Sequence, residues 1–287
     1  MRVIRIEDLE LHRSVDTARG GLEFYEILEG TPGDPANFRL LLSATLPGYY
    51  APRHKHNFEQ VRYKIDTVPT RYDDLGDAGA GSVGYFPEGT PYGPASSDER
   101  TQGLILQYGG PSGHGYMSLS EYKEHFNALK KRGTFQKGIF TWHDEAGGKH
   151  NQDGYEAVWE SWSGRKLEYP KQRYRSAILM EPENFPWTAA KDRAGVRHRQ
   201  LGVFGDPGTK LEMISLAPGV TLPLEDRSIY FVSLGAGQVP SPWSRHSTFF
   251  LKPGERGSIV AGEATELLHI GMPNLDGVGQ RIHASAA

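Results

Sequence analysis

The sequence predicts an all-β protein of two similar barrels joined by a connector that contains one clear α-helix. Three observations support this fold class. The chain has 35 glycines and 19 prolines, dispersed along its length, which is typical of short strands separated by tight turns. Apolar or alternating segments recur in residues 20–110 and again after residue 196. Strands and Pro-Gly turns follow the same order in both regions, which indicates a repeated domain.

The predicted strands are short and bounded by glycine or proline. Those of the first region are FRLLLSATLPG, QVRYKIDTV, GSVGYFPEGTPYG and GLILQYGG. Those of the second region are KLEMISLAPG, SIYFVSLGAGQV, STFFLKPGERGSIVAG and ATELLHIGMP. The layout of LLSATLPGYYAP in the first region matches that of MISLAPGVTLP in the second. Such strands are spaced as antiparallel barrels require.

One helix is predicted between the two barrels, in SLSEYKEHFNALKKRG. Ser118 and Glu121 have the spacing of a capping box, which satisfies the first amides of a helix. Apolar residues at helical spacing form one face: Leu119, Tyr122, Phe126 and Leu129. We therefore expect an N-terminal barrel in residues 1–117, a helical and aromatic connector in 118–195 and a C-terminal barrel in 196–287.

Composition excludes several classes of partner. The net charge is −3, without a block of like charge, so neither a nucleic-acid-binding nor a membrane surface is expected. The chain has no cysteine, which rules out disulfides and cysteine–zinc sites. Charges interrupt the N-terminal MRVIRIEDLELHRS, which therefore lacks the apolar core of a signal peptide. We expect a cytoplasmic protein that acts on a small molecule, with a homodimer as a further expectation.

The stretch GYYAPRHKHNFEQVRYKI carries the candidate chemistry. His54 and His56 stand at positions i and i+2, so on a strand their side chains project from the same face. Two neutral imidazoles in that arrangement can chelate one divalent ion. Gln60 and Arg62 follow at even spacing and share the face if no bulge intervenes. A chance pair of hydrogen-bonded histidines is the alternative.

This stretch resembles the first cupin motif, in which a glycine, five residues, HxH, three or four residues, a glutamate, six residues and a glycine follow one another. Gly48, His54 and His56 fit that spacing. Gln60 stands where the family usually has glutamate, and Thr67 where it has the closing glycine. The two histidines of the motif are therefore present as His54 and His56, while its usual glutamate ligand is replaced by the amide of Gln60.

A second stretch resembles the second cupin motif, a glycine, five residues, Pro-x-Gly, two residues, a histidine, three residues and an asparagine. Gly81, Pro87 and Gly89 match it. Tyr92 replaces the histidine and Ser96 the asparagine. The resemblance implies a bicupin of two jelly-roll barrels. It leaves Tyr92 as a ligand, a proton donor or a wall residue, with the last two favoured.

The third metal ligand is the point that the pattern leaves open. Strand alternation turns Gln60 toward the histidines and Glu59 away from them, so Gln60 is favoured unless the chain bulges. The C-terminal region repeats the layout without the imidazoles, since Glu225, Asp226 and Arg227 stand where HxH would be. His246 and His269 stand alone there. We expect this barrel to lack a metal site and to support the fold.

The resemblance implies metal-dependent chemistry on a small organic substrate, with a dioxygenase-type oxidoreductase as the first hypothesis. The expected metal ligands are His54, His56 and Gln60, and the expected catalytic residues are Tyr92 and Arg62, which would handle a proton or an anion. One divalent ion is expected, with Fe(II) favoured over Zn, Mn or Ni. The alternatives are an isomerase or lyase, and a binding or sensing protein without turnover.

Overall fold

The computed structural model describes residues 1–14, 21–34, 36–136, 138–276 and 278 of the 287-residue chain. The end of the expected C-terminal domain, residues 279–287, therefore lies outside the described part.

The elements follow one another as an N-terminal group of strands, a connector with helices and a C-terminal group of strands. The N-terminal strands are β1 (Arg2–Ile4), β2 (Leu11–Ser14), β3 (Leu22–Glu29), β4 (Phe38–Thr45), β5 (Tyr49–Ala51), β6 (Glu59–Lys64), β7 (Thr70–Tyr72), β8 (Gly76–Ala78), β9 (Val83–Phe86), β10 (Ala95–Ser97) and β11 (Thr101–Tyr108). The connector contains α1 (Leu119–Lys130), β12 (Gly133–Gln136), β13 (Ile139–His143), β14 (Lys149–Asp153) and α2 (Gly154–Ser163). The remaining strands are β15 (Ile178–Met180), β16 (Thr188–Ala189), β17 (Val196–Phe204), β18 (Thr209–Leu216), β19 (Thr221–Leu224), β20 (Ser228–Leu234), β21 (Gly237–Val239), β22 (Thr248–Leu251), β23 (Gly257–Ala261) and β24 (Thr265–Gly271). Two short 3-10 helices span Ile6–Asp8 and Pro182–Asn184.

Each barrel consists of a large and a small antiparallel sheet. The N-terminal barrel has the sheets β15-β9-β6-β11-β4-β3-β2 and β5-β10-β7-β8. The C-terminal barrel has the sheets β1-β22-β20-β24-β18-β17-β16 and β19-β23-β21. The order β9-β6-β11-β4-β3 in one large sheet corresponds to β22-β20-β24-β18-β17 in the other. The all-β fold class and the repeated barrel are therefore confirmed.

A pair of turns shows how closely the repeat is preserved. Gly48 follows β4 and Gly219 follows β18, and both have positive φ angles, of 81° and 78°. A residue with a Cβ is strained in that region, which explains glycine at both positions. The amide of Gly48 donates to the carbonyl of Ser97 at 3.1 Å, and that of Gly219 donates to Ala261 at 2.7 Å. The turns therefore enter the small sheet of each barrel in the same way.

Two short strands cross the domain boundaries expected from the sequence. Strand β1 lies within 1–117 but pairs with β22 of the C-terminal barrel, and β15 lies within the expected connector but pairs with β9 of the N-terminal barrel. Each of these strands covers an edge of a large sheet, and an uncovered edge would expose unpaired backbone groups. The barrels are thus tied together by chain segments as well as by packing.

The largest apolar core lies between the two large sheets. It contains alternate residues of β4, β6 and β11, such as Leu40, Val61 and Leu106, together with Phe231 and Leu268 from the C-terminal sheet. Because side chains alternate along a strand, the residues between them face the barrel interiors. The interior of the C-terminal barrel is mainly aliphatic and aromatic. The interior of the N-terminal barrel differs in that it is lined by aromatic, small and polar side chains.

The connector has its own small core between the helices and β12–β14. Helix α1 begins with the expected capping box of Ser118 and Glu121. The sequence analysis did not identify the second helix, α2. Its signals are the side chain of Asp153, which accepts from two amides at the N-terminus, and Gly164, which ends it with a φ of 69°. The aromatic residues in GYEAVWESWSG are enriched in strands rather than helices, so composition alone did not indicate a helix here. Among the described residues, no helix is long and apolar enough to cross a membrane.

Candidate functional site in the N-terminal barrel

The HxH segment and the segment that carries Tyr92 are paired backbone to backbone. The amide of His54 donates to the carbonyl of Tyr92 at 3.1 Å, and the amide of Tyr92 donates back to His54 at 2.9 Å. The amide of Gly89 donates to the carbonyl of His56 at 2.8 Å. The Pro-x-Gly turn thereby fixes the two segments side by side. The structure thus brings together the two stretches that carry the cupin resemblance.

The side chains of these segments meet at the hydroxyl group of Tyr92. Its oxygen lies 3.0 Å from Nε2 of His56, 3.1 Å from Nε2 of Gln60 and 2.8 Å from Nη2 of Arg62. The ring of His54 lies 4.9 Å from that of His56, centre to centre, and 4.6 Å from that of Tyr92. All five residues expected from the sequence are therefore in one cluster.

The hydrogen bond of His54 to the backbone sets its tautomer. Nδ1 of His54 lies 2.6 Å from the carbonyl oxygen of Pro52, which can only accept, so the proton is on Nδ1. The lone pair is then on Nε2. A histidine that binds a metal through one nitrogen commonly donates the other N–H to a carbonyl group. This arrangement therefore fits His54 as a ligand to a divalent metal.

The proton positions around Tyr92 follow from the donors that surround it. Nη2 of Arg62 donates both to Oε1 of Gln60 at 3.0 Å and to the phenol oxygen of Tyr92. Because Oε1 of Gln60 accepts, its Nε2 is the end that donates to Tyr92. Two donors thus point at the phenol oxygen, and its hydrogen is donated to Nε2 of His56 when that nitrogen carries the lone pair, as it must to bind a metal. Metal ligation through that nitrogen would replace the hydrogen bond from Tyr92.

Gln60 and Glu59 lie on opposite faces of β6, as strand alternation requires. Gln60 is fully buried and faces the cluster. Glu59 is 2% exposed and faces the other way, where it accepts from the hydroxyl of Tyr85 at 2.9 Å and from Nη2 of Arg173 at 2.9 Å. The carboxylate is therefore not directed at the imidazoles. Whether Gln60 is a metal ligand stays a prediction, because its carbonyl oxygen is engaged by Arg62.

Arg173 of the connector joins the two segments that carry the site. It bridges Glu59, next to Gln60, and Glu88 of the Pro-x-Gly turn, at 2.9 and 3.1 Å. Glu88 is fully buried and also accepts from the amide and hydroxyl of Ser112. Burial raises the pKa of Glu59 to about 7, although Tyr85 and Arg173 act in the opposite direction. One arginine therefore holds two buried carboxyl groups at the back of the site.

Arg62 is the positive charge of the cluster. Besides its bonds to Gln60 and Tyr92, its Nη1 donates to the hydroxyl of Tyr72 at 2.9 Å. Burial by itself would lower its pKa, but the oxygens of Tyr72 and Tyr92 raise the pKa above the ordinary value. The guanidinium also lies over the rings of Phe86 and Tyr92, at 4.6 and 5.2 Å from their centres. Arg62 is therefore a charged group held by neutral partners.

Further polar and aromatic residues outside this cluster have partners of their own. Gln107 accepts from the hydroxyl of Tyr116 at 2.8 Å. His114 contacts Ser112 at 3.1 Å and the ring of Trp159, and burial lowers its pKa. Two further tryptophans of the connector, Trp142 and Trp162, pack in its core, whereas Trp187 packs against the core between the barrels. None of these residues contacts the Tyr92 cluster through a bond described here.

A second polar cluster lies inside the C-terminal barrel. Nδ1 of His269 lies 2.6 Å from Glu212, and Nδ1 of His198 lies 3.2 Å from the other oxygen of the same carboxyl group. The ligand atoms of Glu212, Glu225 and His269 all lie within 4.8 Å of one another. However, Nζ of Lys210 contacts Glu212 at 2.9 Å and Glu225 at 3.0 Å. The ammonium group thus already stands between the carboxylates.

The expectation that His269 stands alone is therefore wrong. It was made because its partners, Glu212 on β18 and Ser228 on β20, are far from it in sequence and adjacent only through strand pairing. The signal that could have revealed them is the charged Glu212 between the apolar residues Leu211 and Met213 of β18. A buried carboxylate needs a partner. That this barrel lacks a metal site stays a prediction, supported by the position of Lys210.

The chain matches no protein-family model and no curated protein. Its fold is similar to several solved structures. A proposed dioxygenase from Nostoc punctiforme superposes with a TM-score of 0.60 at 8% identity, over 95% of this chain and 83% of that one. HEPD from Streptomyces albus, with 2-hydroxyethylphosphonate and Fe(II) bound, gives 0.57 at 15% identity, over 100% and 79%. Oxalate decarboxylase from Bacillus subtilis gives 0.52 at 14% identity, over 95% and 77%.

The fold and the cluster define a class of protein: a double β-barrel with its candidate site in the N-terminal barrel. More particularly, the fold is that of the bicupins, with two jelly-roll barrels and helices between them. The bicupin expectation from the two sequence motifs is confirmed at the level of fold. Identities of 8–15% carry no activity over to this chain.

Proposed function

We propose that this protein is a metal-dependent enzyme that acts on a small organic substrate inside the N-terminal barrel, and that it is a dioxygenase-type oxidoreductase. One observation carries the proposal. The imidazoles of His54 and His56 lie 4.9 Å apart beside Tyr92, in a barrel whose interior also presents a charged arginine. The Fe(II)-bound neighbour and the neighbour described as a proposed dioxygenase support this reading.

His54 and His56 would hold the metal, with the amide oxygen of Gln60 as the third protein ligand. Imidazole and amide ligands suit Fe(II), which we favour, and also Zn, Mn or Ni. When bound, a divalent ion supplies Lewis acidity and open coordination positions for O₂ or a chelating substrate. Gln60 would first have to release its hydrogen bond from Arg62. The lone pair of His54 at Nε2 is already set by Pro52.

The protein groups around the histidines supply orientation and proton transfer. The hydroxyl of Tyr92 can donate, since it is held by two N–H donors and carries a hydrogen of its own. Arg62 supplies a fixed positive charge next to it. The aromatic rings of Phe86 and Tyr92 border this charge and exclude water from one side, which strengthens electrostatic interactions with a bound substrate.

The proposal is tested by reconstituting the chelator-treated protein with Fe(II), Mn(II), Ni(II) or Zn(II) and screening small organic acids, alcohols and enediols for oxygen consumption. We expect oxygen uptake with Fe(II) and at least one substrate, and none in His54→Ala/His56→Ala. Metal-dependent conversion without oxygen uptake would indicate an isomerase or lyase instead. Equal conversion by the double variant would contradict a metal-dependent reaction at this site.

A binding or sensing protein without turnover is the second candidate. The observation that favours it is the third ligand position, where Gln60 is neutral and bonded to Arg62. An enzyme of this kind usually has a carboxylate there. A ligand that binds tightly to the metal-loaded protein without being changed, as followed by mass spectrometry, would support this candidate. In either case we propose a cytoplasmic protein with a small-molecule ligand, and a homodimer as its assembly.

A further inference from the structure

Three basic side chains extend from the large sheet into the N-terminal barrel. Leu40, Val61 and Tyr63 belong to the core shared by the two barrels, so the intervening residues of β4 and β6 face the interior. Three of these are Arg39, Arg62 and Lys64.

Two of the three have a carboxylate partner. Arg39 is bonded to Glu26 at 2.7 Å, and Lys64 is bonded to Asp66. For Arg62, the described part of the chain provides no ion pair; its bonds are to Tyr72, Gln60 and Tyr92. Arg39 and Lys64 are thus neutralised by a carboxylate of the same barrel, whereas Arg62 is not neutralised by any described residue.

The lack of a carboxylate partner is costly for Arg62 because much of its side chain is removed from water. Its side chain is half-buried, and Nε is buried without a hydrogen-bond partner among the residues described. Of its five N–H donors, three are used, all by neutral oxygens. A buried charge is normally paired. The N–H of Nε is enclosed by protein, so one N–H of Nη1 and a net positive charge remain for a group that the described residues do not supply.

Arg62 also lies next to the candidate metal centre. Its Nη2 and Nε2 of His56 contact the same oxygen, the hydroxyl of Tyr92, at 2.8 and 3.0 Å. The guanidinium group with which an anion would pair is thus one hydroxyl group away from His56. A carboxylate fits this position because it can accept from the remaining N–H of Nη1 and supplies the negative charge that the three neutral partners lack.

We propose that the substrate is an organic acid whose carboxylate pairs with Arg62. This deepens the proposed function and rests on it for the placement of the reacting atoms near the histidines. The pairing itself depends only on the charge of Arg62 and its partners. Arg62 is therefore a specificity-determining residue that selects an anionic over a neutral substrate of the same shape.

The test uses trifluoroacetate and trifluoroacetamide, which have nearly the same size but differ in charge, followed by ¹⁹F NMR titration. We expect the wild-type protein to bind the carboxylate at least tenfold more tightly than the amide. Arg62→Gln should lower the carboxylate affinity at least tenfold and remove the preference, while Arg62→Lys should keep part of it. Arg39→Gln is the matched control, since Arg39 already has a carboxylate partner, and it should leave the preference unchanged.

Equal affinities of the wild-type protein for the two probes would overturn the inference, as would an unchanged preference in Arg62→Gln. The comparison of the two probes needs no variant, so it stays decisive even if Arg62→Gln fails to fold. Repeating the titration with His54→Ala/His56→Ala separates this inference from the proposed function. A carboxylate preference that persists in this variant is caused by Arg62. A preference that disappears with the histidines is caused by a bound metal and contradicts the pairing with Arg62.

Discussion

Nε2 of His56 and the hydroxyl oxygen of Tyr92 lie 3.0 Å apart, within hydrogen-bonding distance. Tyr92 stands where the second cupin motif has its histidine, so a residue that replaces a usual ligand is bonded to a residue that matches one. The same hydroxyl accepts from Gln60 and Arg62. Tyr92 therefore links the candidate metal ligands to the candidate anion site.

Tyr92→Phe tests whether this tyrosine is a ligand or a proton donor. The change removes only the hydroxyl, and it releases Nε2 of His56 from its hydrogen bond. We expect the variant to bind Fe(II) or Zn(II) at least as tightly as the wild type, but to lose turnover or ligand affinity by at least tenfold. Metal titration and a substrate or ligand assay measure the two properties. A variant that holds no metal would make Tyr92 a ligand, and one with full activity would make it a packing residue.

Gln60→Ala and Glu59→Gln separate the two residues considered for the third ligand. Gln60 faces the imidazoles, so its loss should lower metal affinity by about tenfold, which corresponds to about 1.4 kcal/mol. Glu59 faces Arg173 and Tyr85, so Glu59→Gln should change stability and leave metal affinity unchanged. Metal titration of both folded variants checks this. The opposite order would mean that the chain rearranges after His56 to present Glu59.

Arg173→Met tests the salt bridges that Arg173 forms with Glu59 and Glu88. It would leave Glu59 and Glu88, which are 2% and 0% exposed, without their shared cation. Arg173 is itself partly exposed and the carboxyl groups can take up a proton when it is removed, so we expect a loss of about 2 kcal/mol in the free energy of unfolding, as for hydrogen bonds to charged groups. Arg175→Met, at an exposed arginine of the same segment, is the control and should change it by less than about 0.5 kcal/mol. Equal losses of unfolding free energy in the two variants, measured by urea denaturation, would show that the salt bridges of Arg173 do not stabilise the fold.

Glu212 makes the C-terminal barrel sensitive to acid. Burial by itself would raise its pKa, but the bonds from His269 and Lys210 lower the pKa from 4.5 to about 2. Because its pKa is lowered in the folded protein, ionised Glu212 stabilises the fold at pH values above 4.5. This stabilisation is lost as the pH falls through about 2. Its full size at neutral pH is on the order of 3 kcal/mol.

We therefore expect Glu212→Gln to be less stable than the wild type at pH 7, and the difference to shrink steadily between pH 5 and pH 2. Denaturant unfolding across that range measures it. His198 and Glu225 also face this carboxyl group, so the comparison of the variant with the wild type, rather than the wild-type profile, isolates Glu212. A difference that does not change with pH would show that ionisation of Glu212 does not stabilise the barrel.

The parts of the fold set by local pattern could be predicted from the sequence. The strands around LLSATLPG and the helix capped by Ser118 follow from alternation and capping. The helix α2 was missed because its tryptophans and tyrosine were interpreted as part of an aromatic connector, although Ala157, Val158 and Trp159 form its buried face. The pairing of β1 with the C-terminal barrel and of β15 with the N-terminal barrel could not be predicted. Strands β1 and β22, for example, are distant in sequence and pair only when both barrels are formed.

The same limit applies to the site. His54, His56, Gln60 and Arg62 could be placed together because they lie on one short stretch with even spacing, and Tyr92 because the second motif fixes its position. The bond between Arg62 and Tyr72, and the bridge by Arg173, join residues from separate strands or the connector. Strand alternation predicts which face a residue occupies but not which partner lies across the barrel.

The most direct test of the central claim is the metal content of the chain. The purified protein is reconstituted with Fe(II) or Zn(II), freed of loosely bound ions and analysed for metal per chain, alongside His54→Ala/His56→Ala. We expect about one ion per chain in the wild type and none in the folded double variant. No bound metal in the wild type, or equal metal in both proteins, would contradict a metal site at His54 and His56.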